Sequence, residues 1–187
     1  MKEIEIKVIG YPEEDLLQQI ERLNGQFDCV EKQINYHIDS DLLPFDPDQY
    51  LRIRSVYIDD RLVRNEFTFK QRVKLDHARV NEEETVEIDD IESLLFILSK
   101  IGYDRVQKST KIRRRYLLPG ARIELDEWDK DFLSYPYFEI EAESEDRLAE
   151  VIRELEIPAS MISTKSIREL RLEDKKIKSG LDEQEGN

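Results

Sequence analysis

The chain has 187 residues, enough for one domain with a substantial core, and is 39% charged and 39% hydrophobic, the balance of a folded soluble protein. A net charge of −14 argues against general nucleic-acid binding, and would repel a polyanionic ligand unless some of the 29 lysines and arginines are gathered locally. No apolar run approaches the ~20 residues of a membrane span, no secretory signal is visible, and the single Cys29 excludes an internal disulfide or a cysteine metal cluster. A cytoplasmic location and a small buried apolar role for Cys29 follow.

Glu3 to Val8 alternates, with Glu3, Glu5 and Lys7 on one face and Ile4, Ile6 and Val8 on the other, as a strand requires. Pro12 and the acidic Glu13, Glu14 and Asp15 open a helix with the stripe Leu16, Leu17, Ile20, Leu23, stopped by Asn24-Gly25. A strand over 30–39 puts Gln33, Asn35 and His37 in one phase; 40–49, with Pro44 and Pro47, reads as a loop. The strand 51–58 sets Arg52 and Arg54 opposite Leu51 and Ile53. The next sets Thr68 and Lys70 opposite Phe67 and Phe69. A basic loop over 72–79 leads to a strand over 82–88, read with Val86 and Ile88 on the core face and Glu83, Thr85 and Glu87 on the charged one.

Asp89 and Asp90 start a second helix (Ile91, Leu94, Leu95, Leu98, Ile101), ended by Gly102. Three strands follow: 111–116 with basic odd positions, 122–126 with Ile123 and Leu125 inward to the core, and 137–143 with Glu139, Glu141 and Glu143 on one face. Ser144 caps a third helix that Pro158 terminates. A short helix is expected over 166–172, which closes a single domain of residues 1–172, with a disordered tail over 173–187.

Eight strands, mostly joined by turns, predict an α+β fold: an eight-stranded antiparallel closed barrel with helices packed outside. The charged faces either form its outer surface, with no consequence, or line its interior. Three amphipathic helices, each needing an apolar surface, favour the lining. That lining would carry Lys7, Arg52, Arg54, Lys70, Lys111 and Arg113, with Arg115 at the margin, beside Glu3, Glu5, Glu87, Glu124, Asp126, Glu139 and Glu141. Clustered Arg and Lys suit a phosphate chain, and carboxylates beside them suit Mg²⁺ or Mn²⁺. The scattered glycines provide no phosphate loop. His37 and His77 read as polar lining and loop, Trp128 as a plug at a barrel end or as packing against a helix, and Arg72, Lys74 and Arg79 as solvated.

Glu3-x-Glu5-x-Lys7, followed in order by Arg52-x-Arg54, Phe69-Lys70, Lys111-x-Arg113, Leu125-Asp126 and Glu139-x-Glu141, resembles the signature of the CYTH superfamily, the triphosphate tunnel metalloenzymes, over roughly residues 1–170. The resemblance implies a tunnel that binds a small-molecule triphosphate with Mg²⁺ or Mn²⁺. Metal would be held by Glu3, Glu5, Glu139 and Glu141, with Asp126 and Glu87 assisting. Triphosphate would be held by Lys7, Arg52, Arg54, Lys70, Lys111, Arg113 and Lys165, of which Lys7, Arg52 and Lys70 would act in catalysis. The family includes class IV adenylyl cyclases, thiamine triphosphatases, inorganic tripolyphosphatases and RNA triphosphatases. Asn35 where many cyclase-like members carry aspartate, Ser134-Tyr135-Pro136-Tyr137 in place of their Leu-Gly, and no His-Phe pair before Glu3 lean the expectation to a metal-dependent triphosphatase over a cyclase. A non-catalytic polyphosphate or nucleotide binder is the expectation from another class. Monomer and homodimer are equally compatible with the sequence.

Overall fold

A computed structural model describes residues 2–75 and 78–180. The elements run β1 (Lys2–Ile9), α1 (Glu13–Arg22), β2 (Gln26–Asp39), β3 (Gln49–Ile58), β4 (Arg61–Leu75), β5 (Arg79–Glu87), α2 (Ile91–Lys100), β6 (Arg105–Leu118), β7 (Ala121–Trp128), β8 (Tyr137–Ala142), α3 (Glu145–Glu154), β9 (Ile162–Ser163) and α4 (Ile167–Ser179). All strand pairs are antiparallel in the order β5-β4-β3-β2-β6-β7-β8-β1, and a β1–β5 pairing closes the ring into an eight-stranded barrel. The two-residue β9 adds to β1 from outside the ring.

Local chemistry sets the corners. Asp59 and Asp60, both at positive φ (49° and 59°), make the two-residue turn between Ile58 and Arg61, whose handedness matches the strand twist. Helix α1 ends as the chain passes Asn24 at φ 56°. Gly25 is required there because a Cβ would lie 2.5 Å from Ile20 Cγ2. Asp90 and Ser144 accept from the backbone N–H of Ser93 (3.0 Å) and Arg147 (3.1 Å), capping α2 and α3, and Ser166 with Glu169 forms a capping box on α4.

The barrel is apolar outside and charged inside. Ile6, Val8, Ile123, Leu125, Phe138 and Ile140 form the outer wall of β1, β7 and β8, covered by α1 through Leu16 and Ile20 and by α3 through Leu148, Val151 and Leu155. Ile38, Leu51 and Ile53 on β2 and β3 meet Leu98 of α2. Trp128, Phe132, Leu133, Tyr137 and Leu170 of α4 form a third cluster, with Trp128 stacked on Phe132 at 4.5 Å. No helix among the described residues is long and apolar enough to cross a membrane.

Several spans differ from the sequence expectation. Strand β4 runs on to Leu75 and β5 starts at Arg79, so most of the expected basic loop over 72–79 is paired strand. Positively charged strand residues do not advertise a core, so this stretch carries the pattern of a loop. Helix α4 continues past Leu172 to Ser179, where the sequence expectation had a disordered tail from 173; Leu170 and Asp174, both buried, tie it down, and Gly180 at φ 69° ends it. Residues 181–187 and His77 lie outside the described residues. Val86, expected on the core face, is 56% exposed, whereas Ile88 does pack against the α2 cluster. Cys29 is half-buried between Asp28 and Arg115 rather than enclosed in a core.

Candidate active site

A cavity of about 860 Å³ runs through the barrel, and its walls are the charged phases of the strands. Of the residues expected in the site, Lys7, Arg52, Arg54, Lys70, Lys111 and Arg113 line it, as do Glu3, Glu5, Glu139 and Glu141. Strict alternation delivers them, since every second residue of a closed strand faces the lumen.

Three expected members lie elsewhere. Lys165 precedes α4 and bonds to Glu173 on the outer surface, so it adds no cation to the cavity. From the same segment Arg168 and Arg171, one helical turn apart, reach the lining instead. Glu87 keeps the lumen phase, paired in register with the lining residue Glu66, but the strand ends there and its side chain is exposed. Glu83 and Thr85, earlier on the same face, take the lining positions. Asp126 is wholly buried under Lys111 (2.7 Å) and Arg113 (2.6 Å) and holds those cations in place rather than lining the cavity. Arg79, expected to be solvated, is 8% exposed and donates to Asn81 Oδ1 at 3.0 Å, while Asn81 donates to Glu5 at 3.1 Å. Sequence reasoning also missed Glu31, Arg64 and Glu66. Extending the Thr68–Lys70 phase back along β4 would have found the last two.

The charges are arranged in opposition. Lys70 contacts Glu3 and lies 3.8 Å from Glu5 and 3.5 Å from Glu83; Lys7 sits 2.8 Å from Glu139 and 3.7 Å from Glu5; Arg122 bonds Glu141 at 2.5 Å. Burial alone would raise Glu139, but Lys7 and Arg113 hold it well below the usual carboxylate range. The cationic wall is less well compensated. Arg52 has Glu83 only at 3.9 Å, and among the described residues Arg54 has no carboxylate within salt-bridge distance, donating instead to Asn35 Oδ1 at 2.9 Å. Burial, with Arg52 and Arg113 nearby, brings Arg54 down to about 10, and burial with Arg113 and Arg54 brings Lys111 down to about 7 despite Asp126. Opposite behaviour marks Glu141: burial, with Glu3, Glu124 and Glu5 outweighing Arg122, pushes it up to about 7. Strands β3 and β8 stand on facing walls of the ring, so surplus positive charge at Arg52 and Arg54 looks across at surplus negative charge at Glu141.

Aromatic side chains packed around His37 make up part of the lining. His37 stacks on Phe132 at 4.7 Å, its Nε2 lies 2.8 Å from Ser109 Oγ, and Tyr50 Oη lies 3.2 Å from Nδ1. Arg171 lies over the Phe132 ring at 3.8 Å, and Trp128 Nε1 donates to Tyr137 Oη at 3.2 Å. Burial and the cations Arg52, Arg171, Arg54 and Lys111 pull His37 down to about 3, so it is a neutral ring near pH 7.

Among the described residues no three acidic or imidazole side chains already converge as a metal cage, since each lining carboxylate engages a cation. The donor set nevertheless fits a hard divalent cation. Glu5 and Glu141 are directly paired across β1 and β8, and all four carboxylates offer oxygen to it.

The CYTH domain model matches residues 1–170. Among solved structures, the PH1012 protein of Pyrococcus horikoshii OT3 superposes with a TM-score of 0.74 at 22% identity, covering 90% of this chain and 98% of that one. A candidate adenylate cyclase of Vibrio parahaemolyticus gives 0.68 at 16% identity, covering 90% and 96%. HpAC1 of Hippeastrum, described as a candidate adenylyl cyclase with a dominant triphosphatase activity, gives 0.58 at 22% identity, covering 95% and 96%. A comparison with curated proteins finds no match. At these identities the structural likenesses speak to the fold. With the family model spanning nearly the whole barrel and its ordered charged motifs meeting in one lumen, the chain belongs to the CYTH domain family.

Proposed function

We propose that the protein hydrolyses a triphosphate, either inorganic tripolyphosphate or an organic triphosphate, with Mg²⁺ or Mn²⁺ bound in the cavity. The observation that carries this reading is the placement of under-compensated cations and crowded carboxylates on facing walls of one enclosed lumen. A phosphate chain needs several positive groups in a fixed array, and Arg52, Arg54, Lys111 and Arg113 supply it. Lys7 and Lys70, each held between carboxylates, would draw charge off the reacting phosphate along with Arg52. Glu3, Glu5, Glu139 and Glu141 would hold the metal. When bound, that ion supplies charge neutralisation at the phosphate oxygens. Asp126 orients Lys111 and Arg113.

A purely binding protein would need the cations but not the four carboxylates, which favours an enzyme. The second reading, a class IV adenylyl cyclase forming cyclic AMP and pyrophosphate, is favoured by the resemblance to candidate cyclases. Cyclisation requires a grip on ribose and base. In the aromatic part of the lining Trp128 and Phe132 stack on each other at 4.5 Å and are only 7% and 3% exposed, which supports hydrolysis over a reaction that needs a base stacked between them. Incubation with ATP, tripolyphosphate and thiamine triphosphate plus Mg²⁺ or Mn²⁺ tests the choice. Orthophosphate is the expected product. Cyclic AMP with pyrophosphate as the main products would establish the cyclase instead, and binding without turnover would establish the non-catalytic reading.

A further inference from the structure

We infer that Gln33 positions the attacking water, its side-chain carbonyl Oε1 accepting a hydrogen bond from the nucleophile; this rests on the hydrolytic reading above. Gln33 lies on the lumen face of β2, is 1% exposed, and lines the cavity, yet its Oε1 has no hydrogen-bond partner among the described residues. A buried carbonyl without a donor is costly, and such a group is retained where a ligand completes it.

The orientation of the amide follows from chemistry. Its Nε2 donates to Glu31 Oε2 at 2.5 Å. Glu31 is an acceptor only, because Gln33, Arg115, Arg113 and Arg64 overcome burial and keep it ionised. Rotating the amide by half a turn would set two acceptors against each other, so Glu31 fixes the NH₂ on its own side and aims the carbonyl away. Lys111, its register partner on β6, turns to Asp126 at 2.7 Å and makes no bond to this carbonyl. Nor can the phosphate chain complete the carbonyl, since ionised phosphate oxygens only accept. The missing partner must bring an O–H or N–H of its own, and water is the donor that hydrolysis requires. Gln33 is well placed for it: beside Lys111 on the phosphate-binding wall, and on the strand facing β1, which carries Glu3, Glu5 and Lys7.

In the step this supports, the water oxygen forms a bond to the terminal phosphorus. The bridging P–O bond breaks, and its electron pair leaves on the diphosphate. One water proton stays on the new P–O oxygen and the other passes to a non-bridging oxygen of the released orthophosphate. Gln33 takes no proton; it fixes the direction of approach.

The test uses Gln33→Met, which keeps the bulk and removes the carbonyl, and Gln33→Asn, which withdraws it by one methylene. Orthophosphate release is measured from inorganic tripolyphosphate, which has no hydroxyl or amine of its own, and from an organic triphosphate that the wild type hydrolyses. Tripolyphosphate affinity is measured on the same proteins by calorimetry, which also reports an intact site. The expected result is a fall in kcat of about 100-fold on both substrates, with the Kd for tripolyphosphate held within about twofold. Unchanged kcat would overturn the inference. A loss confined to the organic substrate would overturn it too, by showing that the carbonyl reads a substrate hydroxyl, as would loss of affinity in step with kcat, which marks a structural role. If the wild type itself releases no orthophosphate, the hydrolytic reading fails, and this inference fails with it.

Discussion

Single side chains in this lumen differ in what burial does to them. His37 is kept neutral because burial and four surrounding cations disfavour its charged form. An unfolded histidine takes up a proton near pH 6.5, whereas the folded protein refuses it until about 3. Between those values the unfolded state binds more protons, so stability falls as the pH drops, at up to ~1.4 kcal/mol per pH unit from this group. Above pH 6.5 both states are neutral and the contribution is constant. His37→Gln removes the titration while keeping polar contact with Ser109 and Tyr50. Urea unfolding followed from pH 7 to pH 4.5 should therefore show a shallower loss in the variant. Equal slopes would mean that His37 is protonated inside the folded barrel.

At the scale of elements, helices and strands divide the work. The strands carry the site on their inner faces, and α1, α2 and α3 cover apolar outer faces that water would otherwise wet. Leu155, just after α3, is fully buried against that outer wall and touches nothing in the lumen. Leu155→Ala should cost about 2–5 kcal/mol through lost contacts and the cavity left behind. Tripolyphosphate affinity should not change. Denaturant unfolding and calorimetry on the same protein check both halves, and a large loss of affinity without loss of stability would contradict this division. Helix α4 is the exception, since Leu170 packs in the cluster with Trp128 and Phe132 while Arg168 and Arg171 reach the cavity from the same helix.

As a whole, the molecule carries a net charge of −14 but turns many of its cations inward, leaving an acidic exterior around a lumen lined by both signs of charge. Lining carboxylates held among those cations contribute charge rather than apolar packing. Glu3→Ala and Glu139→Ala should each lower turnover by roughly 100-fold or more while leaving the folded structure in place, and EDTA should do the same to the wild type. Phosphate release in EDTA is one readout and circular dichroism of the variants the other. Turnover that survives chelation would remove the metal from the mechanism.

The sequence by itself determined which face of each strand is charged. Side chains alternate with a period of two, so the positions of Glu3, Glu5 and Lys7, or of Arg52 and Arg54, follow from the pattern once the strand is recognised. Amphipathic helices then require the apolar faces to be outside, and the barrel follows. Depth along the lumen is a different quantity, fixed by strand stagger and by where each strand stops. Only the tertiary structure placed Glu83 rather than Glu87 beside Lys70, enclosed Asp126 beneath Lys111 and Arg113, and brought in Arg79 from a segment read as loop. It also exchanged Lys165 for Arg168 and Arg171, because the direction in which α4 leaves the barrel depends on where Leu170 packs, more than thirty residues from the Trp128 and Phe132 that receive it. Phase is local and legible; registration between distant segments is set by packing, which no single stretch of sequence contains.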